Sequence, residues 1–442
     1  MRRTSTLTAC LLALLLALLA APVAKAQVVG LYYKEAEKDG RIYIFNTPER
    51  YKSWQDSGGD MGTAVTLINR GPNGETLVAE NETAMDLYLF KHNMEAYERP
   101  TPKPAVAAAF PATKISGRVF ADFSTKENKD KGKTGGAAKS TDSGVGIDVK
   151  RFYFTVNHDF DAVWSAQLQS DIGDQGARRY DVFVKKAFLQ AKVSPAFTLR
   201  IGSADTPWVP FVEGIYGYRY LETVITDHLS FGTSADWGLH VLGKVANDKV
   251  SYAFAALNGK GYSNPTRTKS VDFEGRVSFE PIKGLTLAAG GYSGKRGNDT
   301  DATPAKHTAE RTDALVAYVN GPVRIGAEYF AAKNWNTTTS VPTDKSDGTS
   351  AFASFAATPA LSIFGRYDNV KPSKDLKPAL EFTYYNAGLQ WRLNKSLAAS
   401  AVYKFAEVKG GTLGTSNGTI GSAVANKKGE YNEVGLWAIY GF

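Results

Sequence analysis

The 442-residue chain has one cysteine, Cys10, and it falls just before a short apolar N-terminal run. Arg2 and Arg3, the apolar run 11–20 and the triplet Ala24-Lys25-Ala26 predict a secretory signal peptide, 1–26, cleaved before Gln27. The mature chain then has no thiol, which excludes disulfides and thiolate metal sites. Histidine is also scarce: His92, His158, His228, His240 and His307 are scattered, without metal-binding spacing. No G-x-S-x-G elbow and no phosphate-cradling glycine loop occur, so neither enzymatic activity nor a cofactor or metal is expected. No second apolar run reaches the length of a membrane-spanning helix. Losing Arg2, Arg3 and Lys25 lowers the formal charge from +8 to +5. That mild excess points to anionic solutes rather than nucleic acid.

What is abundant is glycine (42), tyrosine (22) and phenylalanine (23), a mixture suited to short aromatic strands joined by turns. The mean hydropathy of −0.26 fits a barrel in which polar lumen residues offset apolar outward ones.

Three regions follow the leader. Residues 27–98 read as a small α+β module. Residues 41–45 form a strand, Thr47-Pro48 start a helix with threonine as cap, 64–68 and 75–79 form a hairpin across Gly71-Pro72-Asn73-Gly74, and 81–97 form a second helix. Residues 99–113, with Pro100, Pro102, Pro104 and Pro111, read as a stiff linker. From Lys114 to Phe442 the pattern has period 2, as in Ile115, Gly117, Val119, Ala121 and Phe123 against Ser116, Arg118, Phe120 and Asp122. Short links at 159–161, 194–196, 246–249, 281–284, 320–322, 358–360 and 393–395 alternate with long ones at 126–145, 173–180, 204–233, 259–269, 294–307, 334–348, 369–380 and 408–428. Eight long loops imply sixteen strands, an even number, with both chain ends on the short-turn, periplasmic side. A soluble sandwich also has many short strands, but it gives no reason for this alternation. Nor does it explain the final stripe of Val434, Leu436, Ala438, Tyr440 and Phe442, which in water is a liability and in a bilayer faces lipid. The expected fold is all-β, a sixteen-stranded antiparallel transmembrane β-barrel in a bacterial outer membrane, with a small periplasmic α+β module.

The terminal phenylalanine with apolar residues at alternate positions resembles the assembly signal of outer-membrane proteins, implying contact between Tyr440 and Phe442 and the barrel assembly machinery. Val149-Lys150-Arg151-Phe152-Tyr153-Phe154, Val184-Lys185-Lys186-Ala187-Phe188-Leu189-Gln190 and Ser194-Pro195-Ala196-Phe197-Thr198-Leu199-Arg200-Ile201-Gly202 resemble early strands of the phosphate-selective porin O and P family. The segment from Pro207 to Ser234, followed by Gly238-Leu239-His240-Val241, sits where that family folds a loop into its pore. The resemblance covers 114–442 and implies a homotrimeric channel with an inward third loop. The basic residues here are sparser than the dense ladders of the phosphate-specific members.

A channel selects by radius and lining charge. Strand parity places Arg118, Arg151, Lys186 and Arg200 inward on the first strands, with Lys244, Arg276, Arg324, Arg366, Arg392 and Lys404 further on. The inward loop would oppose the first group with Glu213, Arg219, Glu222 and Asp227. Cations slightly outnumber acids along the inward rows, which predicts passive diffusion of small hydrophilic solutes with a mild anion preference. Many of these charges would also pair across neighbouring strands and stiffen the wall. The loop aromatics Trp208, Phe211, Tyr216, Tyr218 and Tyr220 read more readily as packing than as a sugar track. Two other functions stay open: a channel specific for phosphate-like anions or sugars, and a barrel anchoring residues 27–98 for a periplasmic partner. The basic run 126–133 reads as a solvated loop tip or a contact for lipopolysaccharide phosphates.

Overall fold

The computed structural model describes residues 32–97, 110–129, 143–174, 180–422 and 427–442. The leader expected at 1–26, most of the linker and the tip of the first long loop lie outside the described residues. The chain splits into two compact units, Met1–Ala107 and Ala108–Phe442.

The first unit contains β1 (Lys34–Lys38), β2 (Arg41–Phe45), α1 (Pro48–Asp56), β3 (Val65–Leu67), β4 (Thr76–Ala79) and α2 (Glu82–Lys91). Its sheet runs in the order β1-β2-β4-β3, with β2 and β4 parallel. Alternation along β2 and β4 sends Ile42, Ile44, Leu77 and Ala79 to one face, against Met85, Tyr88 and Leu89 of α2. It sends Tyr43, Phe45 and Val78 to the other, against Tyr51 and Trp54 of α1. Asn81 caps α2, its side chain accepting from the Ala84 amide at 2.9 Å. Thr47, expected to cap α1, makes no such bond; its hydroxyl donates to Glu80 at 3.0 Å. The α2 helix is also shorter than the expected 81–97, because Asn93 turns into the left-handed region at φ 51. The strand β1 had no legible apolar alternation.

The second unit is a closed antiparallel barrel. Its strands are β5 (Ala112–Lys129), β6 (Gly144–Asp159), β7 (Trp164–Asp174), β8 (Tyr180–Ser194), β9 (Phe197–Asp205), β10 (Ala235–Val245), β11 (Val250–Leu257) and β12 (Asp272–Phe279). They continue as β13 (Leu285–Gly294), β14 (Ala309–Asn320), β15 (Val323–Lys333), β16 (Lys345–Ala356), β17 (Leu361–Lys371), β18 (Glu381–Arg392) and β19 (Leu397–Lys409). A hairpin of β20 (Thr412–Thr415) and β21 (Gly418–Gly421) intervenes before β22 (Lys428–Gly441), which pairs with β19 and β5 and closes the ring. Among the described residues sixteen strands form this ring. The first begins at Ala112, two residues before the expected Lys114.

Short turns are set by local side-chain bonds. Asp161 accepts from the amides of Val163 and Trp164 at 2.8 and 2.7 Å. Asn394 accepts from Ser396 and Leu397 at 2.8 and 2.9 Å. These are the turn motifs expected of Asp and Asn.

The barrel is inverted relative to a water-soluble protein. Ile147, Val182 and Ile201 are 76%, 72% and 60% exposed on its outside, while Asp171, Asp368 and Lys404 inside are at most 1% exposed. A continuous outward apolar band of this kind needs a lipid solvent. At the carboxyl terminus Phe442 exchanges backbone bonds with Gly117 at 3.0 and 3.1 Å. Its ring covers that glycine so closely that an added Cβ would lie 2.2 Å from it.

Candidate functional site

Residues 206–234, between β9 and β10, fold into the barrel. Pro210 in the first turn favours α3 (Val209–Tyr216), and Gly217 ends it in the left-handed region at φ 79. A single turn, α4 (Ile225–His228), follows. Where the segment leaves β9, Trp208 is completely buried. Its indole packs on Gly290, where a Cβ would lie 2.6 Å from the ring. The Trp208 indole N–H donates to Glu328 at 2.8 Å and its amide to Glu274 at 3.2 Å.

The far wall then grips the loop's carbonyl oxygens one after another. Arg276 donates to Pro207 at 3.0 Å, Arg324 to Ile215, Arg366 to Thr223 at 2.5 Å, Lys404 to Leu221 at 2.7 Å and Arg311 to Phe231. Each is an inward cation from β12, β14, β15, β17 or β19. Charge-assisted bonds to otherwise orphaned backbone acceptors fix the loop at many points. The aromatics pack on the same wall. Tyr216 meets Phe352 at 5.4 Å, Tyr218 meets Phe364 at 4.5 Å, and the Tyr220 hydroxyl lies 2.5 Å from Ser400 and 2.8 Å from Gln390.

What stays open is the side where β5–β9 face the inward loop, the β18–β19 turn and the end of β22. A cavity of about 700 Å³ there is lined by Arg118, Lys185, Lys186, Arg219, Arg392 and Lys395, with Asp205 and Glu213 as its carboxylates. Lys186 pairs with Asp205 at 2.5 Å and Arg219 with Glu213 at 2.5 Å. Arg118, Lys185, Arg392 and Lys395 have no carboxylate partner among the described residues.

The expected site residues therefore separate into groups. Arg118, Lys186, Arg219 and Glu213 meet at this cavity. Arg151 is tied to the buried Asp171 at 2.9 Å. Asp227 is half-buried and acts electrostatically on Arg219 and Glu213. Arg200 lies in a different niche, stacked on Phe188 and bonded to Gln190 at 2.8 Å. Glu222, expected at the constriction, is instead enclosed behind the loop. It accepts from Ser416 at 2.7 Å and Asn417 at 2.6 Å and faces His228 at 3.1 Å. Burial pushes its carboxyl up, but His228 and Lys404 outweigh that and hold it well below the ordinary range.

Two lumen cations are missing from the parity reading. The ladder shifts by one residue at Lys150, opposite Phe120 and Ala121, and again at Lys185, opposite Gln169 and Ser170. Each shift is a β-bulge, which turns two consecutive residues to one face. Lys150 joins Arg151 inside, reaching Asp122 at 3.2 Å, and Lys185 joins Lys186. The basic doublets Lys150-Arg151 and Lys185-Lys186 are the one sequence signal that could have shown this. Arg311 and Asp313 were also unread, because their inward neighbours Leu315 and Ala317 are apolar and pack on the loop. Among the described residues no group of His, Cys, Asp or Glu could hold a metal ion, and no helix is long and apolar enough to cross a membrane.

The family model for Gram-negative porins matches residues 101–411. No curated protein matches the chain. Among solved structures, the anion-selective porin from Comamonas acidovorans is 13% identical with a TM-score of 0.54, covering 75% of this chain and 99% of its own. The outer membrane channel DcaP of Acinetobacter baumannii is 11% identical with a TM-score of 0.54, covering 75% and 97%. Salmonella typhi OmpF, in complex with daunomycin, is 15% identical with a TM-score of 0.50, covering 75% and 98%. At these identities the structural likeness shows the shared fold. The family match covers the strands that resemble the phosphate-selective group, but it names the broader family. The inverted barrel, its inward loop and this match make the chain a member of the Gram-negative porins, a β-barrel of the bacterial outer membrane.

Proposed function

We propose that the barrel is a passive diffusion channel for small hydrophilic solutes and ions with a mild preference for anions. The observation that carries this is the one-sided distribution of free charge. Arg276, Arg311, Arg324, Arg366 and Lys404 are used up on loop carbonyls, while the open cavity holds six cations and two side-chain carboxylates. Such a lining raises the local anion concentration without forming a tight site. A phosphate-specific filter would need cations converging on one point. Here Lys186 and Arg219 each carry a carboxylate beside them, which disfavours multivalent anions. A sugar-specific track is disfavoured by the packing of Tyr216, Tyr218 and Tyr220 on the wall.

Lipid and lipopolysaccharide outside, assembly through Tyr440 and Phe442 and a homotrimeric state complete the proposal. Residues 27–98 act in it as a periplasmic module that docks a partner. Liposome swelling tests the channel reading: uptake of uncharged solutes falls smoothly with size and is indifferent to sugar identity. A sharp preference for one sugar would replace diffusion by specific transport.

A further inference from the structure

The barrel carries a second niche beside the main lumen, of about 300 Å³, sharing Asp205 and Pro210 with it. Its position follows from register. Arg200 on β9 and His240 on β10 are direct cross-strand partners, and both face inward. The next strand, β11, presents Ala255 opposite His240, and Ala253 opposite Arg276 of β12. Small residues on the middle strand leave a floor between two guanidinium groups. Phe211 of α3 forms the roof, its ring centroid 3.8 Å from the Arg276 guanidinium carbon.

The donors at this niche are incompletely used. The Nε of Arg276 donates to Pro207, and its Nη1 to Ser251 and Ser278 at 3.0 and 2.9 Å, leaving Nη2 without a protein acceptor among the described residues. Arg200 spends only Nε, on Gln190. His240 is 3% exposed, and neither ring nitrogen makes a well-formed hydrogen bond. The carbonyl groups of Gly202 and Asp236 face its ring outside good hydrogen-bond geometry. Apart from Asp205 and Thr206, the rest of the lining is apolar, with Pro207, Phe211, Leu242 and Ala253.

We propose that this niche binds a small organic monocarboxylate, its carboxylate between Arg200 and Arg276 and its apolar body under Phe211. Guanidinium forks match a carboxylate in geometry and charge. The apolar half favours a hydrocarbon body over a hydrated inorganic ion. Asp205 on the rim, already paired with Lys186, disfavours a second negative charge. The inference rests on the open lumen of the proposed channel for access, and it adds a saturable site to a path otherwise governed by diffusion.

The test is calorimetric titration of the detergent-solubilised full chain with benzoate, with benzamide and phosphate as comparison ligands. Reversal potentials are measured on the same preparation in potassium chloride alone. Benzoate is expected to bind saturably at one site per chain, at least tenfold more tightly than benzamide or phosphate. Arg200→Gln and Ala253→Leu, the second filling the niche without removing charge, each weaken benzoate by about tenfold or more. Mobility of the unheated protein in electrophoresis verifies that each variant is folded, and either variant alone suffices. Equal binding of benzamide, undiminished benzoate binding in a folded variant, or no saturable benzoate binding overturns the site. Absent benzoate binding beside an anion-favouring reversal potential removes the niche and leaves the channel reading intact. Benzoate binding without anion preference does the reverse.

Discussion

The guanidinium of Arg366 donates to the Thr223 carbonyl oxygen at 2.5 Å, tying the inward loop to β17. Its Nε and Nη2 hold Asp368, also completely buried, at 2.9 and 2.5 Å. One wall residue thus satisfies a loop acceptor and a wall acid together. Arg366→Met leaves Asp368 buried without a counter-charge, and a destabilisation of about 3–5 kcal/mol follows. Adding Asp368→Leu restores much of it, since the pair then leaves together. Urea midpoints of the refolded barrel check this, and equal midpoints for the single and double variants would contradict it.

The Trp208 anchor makes a second prediction. Because its indole occupies the space a Cβ at Gly290 would take, Gly290→Leu drives the ring off the wall and breaks the 2.8 Å bond to Glu328. The loop becomes susceptible to proteolysis within 206–234 while the barrel stays closed. Protease mapping of the folded variant reads this directly; an intact loop would show that the wall adapts.

In the N-terminal unit Glu35 accepts from Lys91 at 2.9 Å, contacts His92 at 3.0 Å and accepts from the Tyr33 hydroxyl. Burial pushes its carboxyl up, but the hydrogen bonds from Tyr33, His92 and Lys91 outweigh this and hold it below its ordinary 4.5. A carboxyl depressed in the folded state stabilises fully above about pH 4.5 and loses that contribution as pH falls through its folded value. Hydrogen-exchange protection of residues 32–97 in the full chain should therefore weaken below that pH. Glu35→Gln should lower the protection at neutral pH and flatten this part of its pH dependence. An unchanged profile in the variant would assign the acid sensitivity elsewhere.

Much of the barrel was legible because its physics is written in period 2. Alternation, the short and long connections, and the terminal stripe from Val434 to Phe442 all report one geometric object. The site was legible only where that period held. Arg118 and Lys186 follow parity, whereas Lys150 and Lys185 enter the lumen through bulges that break it. Residues such as Leu315 and Phe352 are apolar yet face inward, because the loop and not water covers them. Nothing local to Arg276, Arg324 or Lys404 shows that each will hold a loop carbonyl. That role exists only once a segment distant in sequence is folded against them. Glu222 was misplaced for the same reason, its partners Ser416 and Asn417 coming from the β20–β21 hairpin.

Arg118 and Lys185 are two of the four cavity cations without a carboxylate partner among the described residues, and through them the open side of the lumen can be titrated genetically. Arg118→Glu replaces an exposed cation and should shift selectivity with little cost to folding, whereas Lys185→Glu should shift selectivity at a cost, because Lys185 is buried, donates to the Tyr153 hydroxyl at 3.3 Å and lies over the Tyr153 and Tyr262 rings. Lys186→Glu, placed against Asp205, should cost stability as well. Thermal midpoints beside selectivity separate these cases, and equal stability loss in Arg118→Glu and Lys186→Glu would deny the distinction between free and paired cations.

The most direct measurement is the zero-current potential of single channels in a planar bilayer under a potassium chloride gradient, for the mature protein and for the Arg118→Glu, Lys185→Glu double variant. The expected result is stepwise open conductance with a modest anion-favouring potential that moves to cation preference in the double variant. A cation-favouring or zero potential in the unaltered protein, or one that the double variant leaves in place, would contradict a selectivity set by the cations of β5–β9 that lack a carboxylate partner.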